Sequence, residues 1–160
     1  MRIQVITVGS TGSVAPYTGL AHRLLAEGHT VEIVTHAKFA PMVACCGLRM
    51  QPLEADPFES LIGAHSSSAG HPSNALRSPR RQALKSLRSL FRTTEQAMLS
   101  LVDAILTAVD PKADLILLST MAAPIGAAVA RYHRIPSMGV FLQPDVPTAE
   151  FAPCTMAWQR

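Results

Sequence analysis

The chain opens with a short apolar run that ends in a glycine turn. Residues 3–8 read as a buried strand, the turn Gly9-Ser10-Thr11-Gly12-Ser13 follows, and a helical pattern begins at Val14. A strand that turns directly into a helix is the first unit of an α/β sheet. In such sheets, ligands bind in the crevice beyond the carboxyl ends of the strands, where turns and helix N-termini converge. The opening turn therefore predicts both the fold class and the place of a site.

The rest of the chain alternates between strand and helix patterns. Helices are predicted over Val14 to Glu27, Lys38 to Cys45, Pro79 to about Val109 and Pro124 to His133, and further strands over Thr30 to Thr35, Leu48 to Leu53, Lys112 to Ser119 and Pro136 to Leu142. Residues 54–79 and the last eighteen residues show no regular pattern. This order predicts a Rossmann-like α/β domain with a parallel sheet of about five strands and helices on both faces.

Length and composition favour one globular domain. The chain has 160 residues, of which 48% are apolar and 16% are charged. No apolar run is long enough to span a membrane, and the opening residues read as a strand rather than a signal peptide, so we expect a cytoplasmic protein. The cysteines and histidines show no disulfide framework and no metal-ligand spacing, so no metal site is predicted.

The spacing of the first turn argues against a dinucleotide site. A nicotinamide or flavin fingerprint needs G-x-G-x-x-G and an acidic residue at the end of the second strand. Here the turn has Gly9 and Gly12 alone, and the second strand ends Val34-Thr35-His36 without an acid. No Walker sequence is present either. The spacing therefore disfavours a nicotinamide oxidoreductase, which is kept as an alternative function.

Two early segments resemble the amino-terminal half of GT-B fold glycosyltransferases, the enzymes that glycosylate sterols, lipids and antibiotics. In that family the first strand is followed by a turn of the form G-S-x-G-D/H-V-x-P, and the helix after it ends in R-G-H-x-V. This chain has Gly9-Ser10-Thr11-Gly12-Ser13-Val14-Ala15-Pro16 and then Glu27-Gly28-His29-Thr30-Val31. Together the two segments cover the first strand, turn and helix.

Later segments agree with the same resemblance. Thr35-His36-Ala37-Lys38-Phe39, followed by Gly47-Leu48, looks like the family's second strand and helix. Gln143-Pro144, Pro147-Thr148 and Phe151-x-Pro153 are similar to the family's Q-P-x-x-P-T-x-x-F-x-P segment after the fifth strand. The resemblance thus covers nearly the whole chain.

The resemblance implies that residues 1–160 are a truncated N-terminal, acceptor-binding domain of an inverting glycosyltransferase. The donor, a UDP- or TDP-sugar, would be held mainly by a C-terminal nucleotide-sugar-binding domain that is absent here, so this domain binds no cofactor of its own. The acceptor would be a hydroxyl of an apolar small molecule or lipid. This fragment alone is expected to be inactive. The alternative is a non-catalytic binding module or a decayed, truncated homologue.

The residue at the position of the family's catalytic base is the main departure from the family pattern. A positioned base must take the proton of the acceptor hydroxyl as it attacks the anomeric carbon. The family uses an Asp or His in the glycine turn, and the matching residue here is Ser13, whose hydroxyl is no base near neutral pH. His36, at the end of the second strand, is the other catalytic candidate, with Asp145 and Glu150 as further carboxylates near the site.

Other candidate residues come from the same predicted crevice. The two glycines are expected to let ligand approach the backbone, and Ser13 is also predicted as the helix N-cap. Met121 and Met138 are predicted as core residues. The predicted acceptor or substrate contacts are Gly9, Gly12, Ser119, Thr120, Gln143, Asp145 and Glu150.

A basic stripe and an edge strand suggest partners. Arg81, Lys85, Arg88 and Arg92 follow one another by four, three and four residues and so share a helix face. One interpretation is contact with the anionic inner face of a membrane that carries a lipid acceptor, and the alternative is a solvated face. Nucleic acid is not predicted, because no aromatic residues interleave the stripe. The edge of the fifth strand predicts self-association.

Overall fold

The computed structural model of this protein describes residues 1–54 and 95–143, and they form an α/β domain. Its parallel sheet has the order β3-β2-β1-β4-β5. The strands are β1 (Arg2–Ile6), β2 (Thr30–His36), β3 (Arg49–Leu53), β4 (Leu115–Leu118) and β5 (Ser137–Gly139). The helices are α1 (Thr11–Ala26), α2 (Ala40–Cys45), α3 (residues 95–108) and α4 (Ala123–His133), with a 3-10 turn at Ala37–Phe39. The predicted Rossmann-like fold is confirmed.

The strand order reverses direction between β1 and β4. From β1 the chain adds β2 and β3 on one side, and it then returns to add β4 and β5 on the other. The register pairs Ile6 of β1 with Val34 of β2 and with Leu118 of β4. Such a reversal opens a crevice at the carboxyl ends of the two central strands, because their connections leave toward opposite faces.

Helices cover both faces of the sheet, as predicted. Alternate strand residues point to opposite faces. On one face, Val5 and Ile33 pack with Tyr17 and Ala21 of α1 and Val43 of α2. The other face has its own buried cluster, which joins the strands to α3 and α4 and includes Ile6, Val34, Leu118, Ile105 and Val129. Both faces of β1 are therefore buried, and its run of apolar residues follows from that.

One glycine allows α4 to lie close to β4. A Cβ atom added to Gly126 would stand 2.3 Å from Cδ2 of Leu118, far inside van der Waals contact. The absence of a side chain therefore sets the distance between this helix and the strand beneath it.

The observed bounds differ from the predicted ones at several ends. Helix α1 begins at Thr11, three residues before the predicted start, so Ser10 is the N-cap residue and the prediction of Ser13 as N-cap is wrong. Strand β4 is shorter than predicted and begins at Leu115. Strand β5 is reduced to three exposed residues, and Met138 within it is 54% exposed, so its predicted core position is also wrong.

Several predictions fall outside the described residues. These are most of the segment 54–79, the start of the long helix with Arg81, Lys85, Arg88 and Arg92, and the last loop with Asp145 and Glu150. The described part of the long helix is helical from residue 95 to residue 108. Within residues 1–54 and 95–143, no helix has the length and apolar character that crossing a membrane requires.

Candidate functional site

A cavity of about 180 Å³ lies at the carboxyl ends of β1 and β4, where the strand order reverses. Val8 follows β1 and Ser119 follows β4, and both line it. This is the position at which open α/β sheets bind ligands. The lining residues within the described ranges are Val8, Ser13, Tyr17, Ser119, Thr120, Met121, Leu142 and Gln143. These described residues carry no formal charge, so they offer hydroxyl and amide groups among apolar side chains.

The turn between β1 and α1 forms one wall and is held by its own hydrogen bonds. Gly9 has a φ of +122°, which L side chains rarely adopt, and this lets the chain turn directly into the helix. The hydroxyl of Thr7 donates to the carbonyl of Ser13 at 2.8 Å, and the amide of Ser13 donates to the carbonyl of Ser10 at 2.9 Å. The hydroxyls of Ser10 and Ser13 lie 3.5 Å apart. Ser13 is thus fixed in the first turn of α1 and faces the cavity.

The two glycines of the turn have different surroundings. A Cβ atom on Gly9 would lie 3.1 Å from Oγ of Ser13, so the absence of a side chain brings the backbone close to that hydroxyl. A Cβ atom on Gly12 would meet nothing nearer than Oγ of Ser10 at 3.8 Å, and Gly12 has no positive φ. The backbone argument therefore applies to Gly9, whereas Gly12 is an exposed residue of the first helical turn.

The turn after β4 forms the second wall, and its serine hydroxyl has no partner. The amide of Ser119 donates to the carbonyl of Ile6 at 3.0 Å, and its carbonyl accepts from the amides of Ala122 and Ala123 at 3.0 and 2.8 Å. Ser119 is 3% exposed, and its Oγ has no hydrogen-bond partner in the described structure. Buried hydroxyls are usually paired, because an unpaired one costs free energy. Ser119 also lines the cavity, so this unpartnered hydroxyl belongs to a residue of the cavity wall.

Met121, which follows in the same turn, is not a core residue. Its side chain is 44% exposed and lines the cavity, so the predicted core position is wrong. The reason is local: Met121 lies between the end of β4 and the start of α4, at the rim of the crevice.

The third wall joins α1 to the segment after β5. Tyr17 lines the cavity from α1, and its hydroxyl donates to the carbonyl of Val140 at 2.5 Å. Leu142 and Gln143, which follow Val140, line the same cavity. Burial raises the pKa of the Tyr17 phenol above its ordinary value, so it stays protonated and able to donate throughout the neutral range.

His36 is buried and lies outside the described lining of the cavity. It ends β2, is 1% exposed, and stands beside Phe39 with a ring-centroid distance of 6.4 Å. It is not among the residues that line the cavity. The catalytic role of His36 stays a prediction, and the carboxylates of Asp145 and Glu150 lie outside the described residues.

The structure brings four of the predicted site residues together around one cavity: Ser13, Ser119, Thr120 and Gln143. Sequence reasoning missed the apolar part of the lining, which is Val8, Tyr17, Met121 and Leu142. For Tyr17 a signal was present, since it follows Ser13 by four residues and so lies on the same face of α1. In the described ranges, no group of three or more His, Cys, Asp or Glu side chains is arranged to hold a metal ion.

Comparison with known protein families decides which lineage of α/β domain this is. The model of the glycosyltransferase family 28 N-terminal domain matches residues 3–136. The chain belongs to this family. The match extends from β1 to the residue before β5 and so includes both turns of the cavity, which confirms the resemblance drawn from the glycine turn.

Individual relatives are similar over a shorter stretch. A sterol 3-beta-glucosyltransferase of Aspergillus fumigatus is 49% identical over 59 residues, which are 37% of this chain and 4% of that protein. The sterol 3-beta-glucosyltransferase of Neurospora crassa is 48% identical over 59 residues, with the same coverage. This chain therefore matches a small part of each of these proteins.

Solved structures share the fold over most of the chain. The glycosyltransferase SsfS6 of Streptomyces sp. SF2575, complexed with thymidine diphosphate, superposes with a TM-score of 0.59 and 29% identity over 88% of this chain and 38% of that one. CalG4, the calicheamicin glycosyltransferase, gives a TM-score of 0.62 at 17% identity over 94% of this chain and 34% of that one, which shows the fold alone. This chain spans a little over a third of the length of each.

Proposed function

We propose that this domain is the acceptor-binding half of an inverting glycosyltransferase. The complete enzyme moves a sugar from a UDP- or TDP-sugar to a hydroxyl of an apolar small molecule or lipid, and a second, C-terminal domain holds the donor. The observation that carries the proposal is the cavity at the β1–β4 reversal, in a chain that belongs to the glycosyltransferase family 28 N-terminal domain.

The chemistry of the cavity walls suits a neutral acceptor hydroxyl. Ser119 offers an unpartnered hydroxyl, and Thr120 and Gln143 offer further neutral hydrogen-bonding groups. Val8, Tyr17 and Leu142 supply apolar surface around them. An alcohol at the end of an apolar skeleton satisfies both parts of this lining, whereas a charged group would find no counter-ion among the described lining residues.

The names of the similar proteins support a sterol or natural-product acceptor and a nucleotide donor. The relatives with the highest identity quoted above are sterol 3-beta-glucosyltransferases, and SsfS6 was solved with thymidine diphosphate. We therefore choose a sterol as the first acceptor to test, with UDP-glucose and a TDP-sugar as donors.

Ser13 raises the question of which group acts as the general base, because it stands where the family has an Asp or His. A serine hydroxyl can orient the acceptor by a hydrogen bond but does not take its proton near neutral pH. In the enzyme, another group must therefore act as base, and the candidates from the sequence are His36, which does not line the cavity in the described structure, and the carboxylates of Asp145 and Glu150. The second candidate function, a binding module that has lost transfer, is favoured by the same observation.

The substitution Ser13→Asp in the full-length protein that carries this domain tests the proposal. An aspartate in the first turn of α1 is favoured by the helix N-terminus and would place a carboxylate at the cavity wall. A positioned base contributes roughly 10²- to 10⁴-fold to such a transfer. We expect Ser13→Asp to raise the rate of glucose transfer to a sterol by about 100-fold, measured by radiolabelled product formation.

Thr11→Asp is the matched control for this experiment. It adds the same charge at the same helix end, at an exposed residue outside the described cavity lining, so it should leave the rate unchanged. Transfer by the natural protein supports the enzyme, and transfer by Ser13→Asp alone supports a module that has lost its base. If neither protein transfers sugar from either donor to a sterol or to a phenolic acceptor, the proposed function is wrong.

A further inference from the structure

Tyr17 connects two parts of the chain that are distant in sequence. Its ring is 1% exposed and packs in the core cluster between α1 and the sheet. Its hydroxyl donates to the carbonyl of Val140, which is 123 residues away. Because Tyr17 also lines the cavity, one side chain supplies part of one wall and a hydrogen bond to the segment that carries another.

Val140 is the last residue of its segment that is tied to the sheet. Its amide donates to the carbonyl of Leu118 at 2.9 Å. Strand β5 ends one residue earlier at Gly139, and in the described structure residues 140–143 belong to no strand. Leu142 and Gln143 follow within three residues and line the cavity. The orientation of these two side chains therefore depends on how the backbone at Val140 is held.

We propose that Tyr17 is a positioning residue for the acceptor site. Its hydroxyl fixes the carbonyl of Val140 and thereby holds Leu142 and Gln143 at the distance from Ser13 and Ser119 that a ligand requires. This inference rests on the proposed function, because it assumes that the cavity receives the acceptor. It assigns Tyr17 a role that ring packing alone does not supply.

Tyr17→Phe separates the hydroxyl from the ring. Phenylalanine keeps the aromatic ring in the core and removes the donor to Val140, so packing is preserved while the tether is lost. Tyr132→Phe is the matched control, because Tyr132 is 75% exposed and does not line the cavity. Both variants are made in the 160-residue chain, with circular dichroism to show that each is folded.

Amide hydrogen exchange by NMR measures how the hydrogen bond from Tyr17 to Val140 affects the nearby backbone. The amide of Val140 is the probe, because it donates to the carbonyl of Leu118 next to the bond from Tyr17. Loss of a hydrogen bond of ordinary strength should speed exchange at this amide about fivefold in Tyr17→Phe. Amides of β1 and β2 should exchange as in the natural chain, and Tyr132→Phe should change neither. A purely structural role for Tyr17 would instead speed exchange throughout the sheet, or leave the amide of Val140 unchanged, and either result would overturn the inference.

A titration with cyclohexanol, followed by NMR shifts, tests the consequence for binding. This neutral ring alcohol suits a cavity of this size, since an engineered cavity of about 150 Å³ accepts benzene. We expect Tyr17→Phe to raise the Kd for cyclohexanol about threefold or more, with Tyr132→Phe unchanged. An equal Kd in natural chain and Tyr17→Phe contradicts the positioning role. If the natural chain does not bind cyclohexanol, the proposed function loses its support, and the exchange measurement still decides the role of Tyr17.

Discussion

The two turns that meet at the cavity hold their serines in different ways. In the turn after β1, Ser13 shares hydrogen bonds with Thr7 and Ser10 through its carbonyl, amide and hydroxyl. In the turn after β4, the backbone of Ser119 is bonded on both sides, but its hydroxyl has no partner in the described structure. The polar groups of Ser13 are therefore hydrogen-bonded within the first turn. In the second turn, the buried hydroxyl of Ser119 has no partner in the described structure.

This difference predicts a structural role for the turn that contains Ser13 and a ligand-binding role for the turn that contains Ser119. A buried hydroxyl without a partner lowers the stability of the folded state, so a ligand that pairs with it recovers that free energy on binding. Ser13 has less to gain from a ligand, because its polar groups are already engaged. We therefore expect stability to depend mainly on the first turn and ligand binding mainly on the second.

The largest effect on stability should come from the first turn, at Gly9. Gly9→Ala forces a side chain into a φ of +122° and against Oγ of Ser13, so it should lower the free energy of unfolding by about 2 kcal/mol. Gly12→Ala is the control. Its Cβ has room in a helical residue, and alanine favours helix, so the free energy of unfolding should rise by about 0.5 kcal/mol. Urea denaturation measures both, and equal effects would refute the strained role of Gly9.

Removal of a single hydroxyl group from each turn should have a smaller effect on the free energy of unfolding, and the effect should differ between the two turns. Thr7→Val removes the donor to Ser13 and should cost about 1 kcal/mol of unfolding free energy. Ser119→Ala removes a hydroxyl that has no partner, so unfolding free energy should not fall, while the Kd for cyclohexanol should rise. Chemical denaturation and the NMR titration give the two numbers. A loss of stability in Ser119→Ala as large as that in Thr7→Val would show that the two turns do not differ in this way.

The smallest expected effect is a pH dependence that comes from the third wall. Because burial raises the pKa of Tyr17 in the folded state, the folded chain holds this proton more tightly than the unfolded chain. Its contribution to stability is complete below the ordinary phenol pKa of about 10 and is lost as the pH rises above that value. The natural chain should therefore lose stability between pH 9 and about pH 11 faster than Tyr17→Phe. Tyr132→Phe, at an exposed tyrosine, gives the background slope.

The main features of the fold were predictable because they depend on local patterns. The alternation of strand and helix segments predicted a parallel sheet, and the apolar run of β1 predicted a buried strand, which the structure shows to be buried on both faces. The same logic placed Ser13 and Ser119 at one crevice, because the carboxyl ends of parallel strands meet at one edge of the sheet. These inferences needed no knowledge of individual contacts.

The features that sequence reasoning missed depend on distant or subtle contacts. Ser10 and Ser13 are equally good N-cap residues, and the choice between them was decided by the turn at Gly9. The bond from Tyr17 to Val140 joins residues at opposite ends of the chain, and no periodicity reports such a pair. Met121 was predicted in the core because the sequence does not distinguish an apolar residue at the rim of a crevice from one in the core.

The close approach of α4 to β4 has a consequence for anyone who wishes to reshape the cavity. Leu118 lies under Gly126, and Ser119 is the next residue along the chain. A methyl group introduced at Gly126 would press on the side chain of Leu118 from the back of the sheet, and Leu118 would have to move or change rotamer to make room. The residue that precedes Ser119 can thus be disturbed from behind the sheet, by a substitution outside the described lining of the crevice.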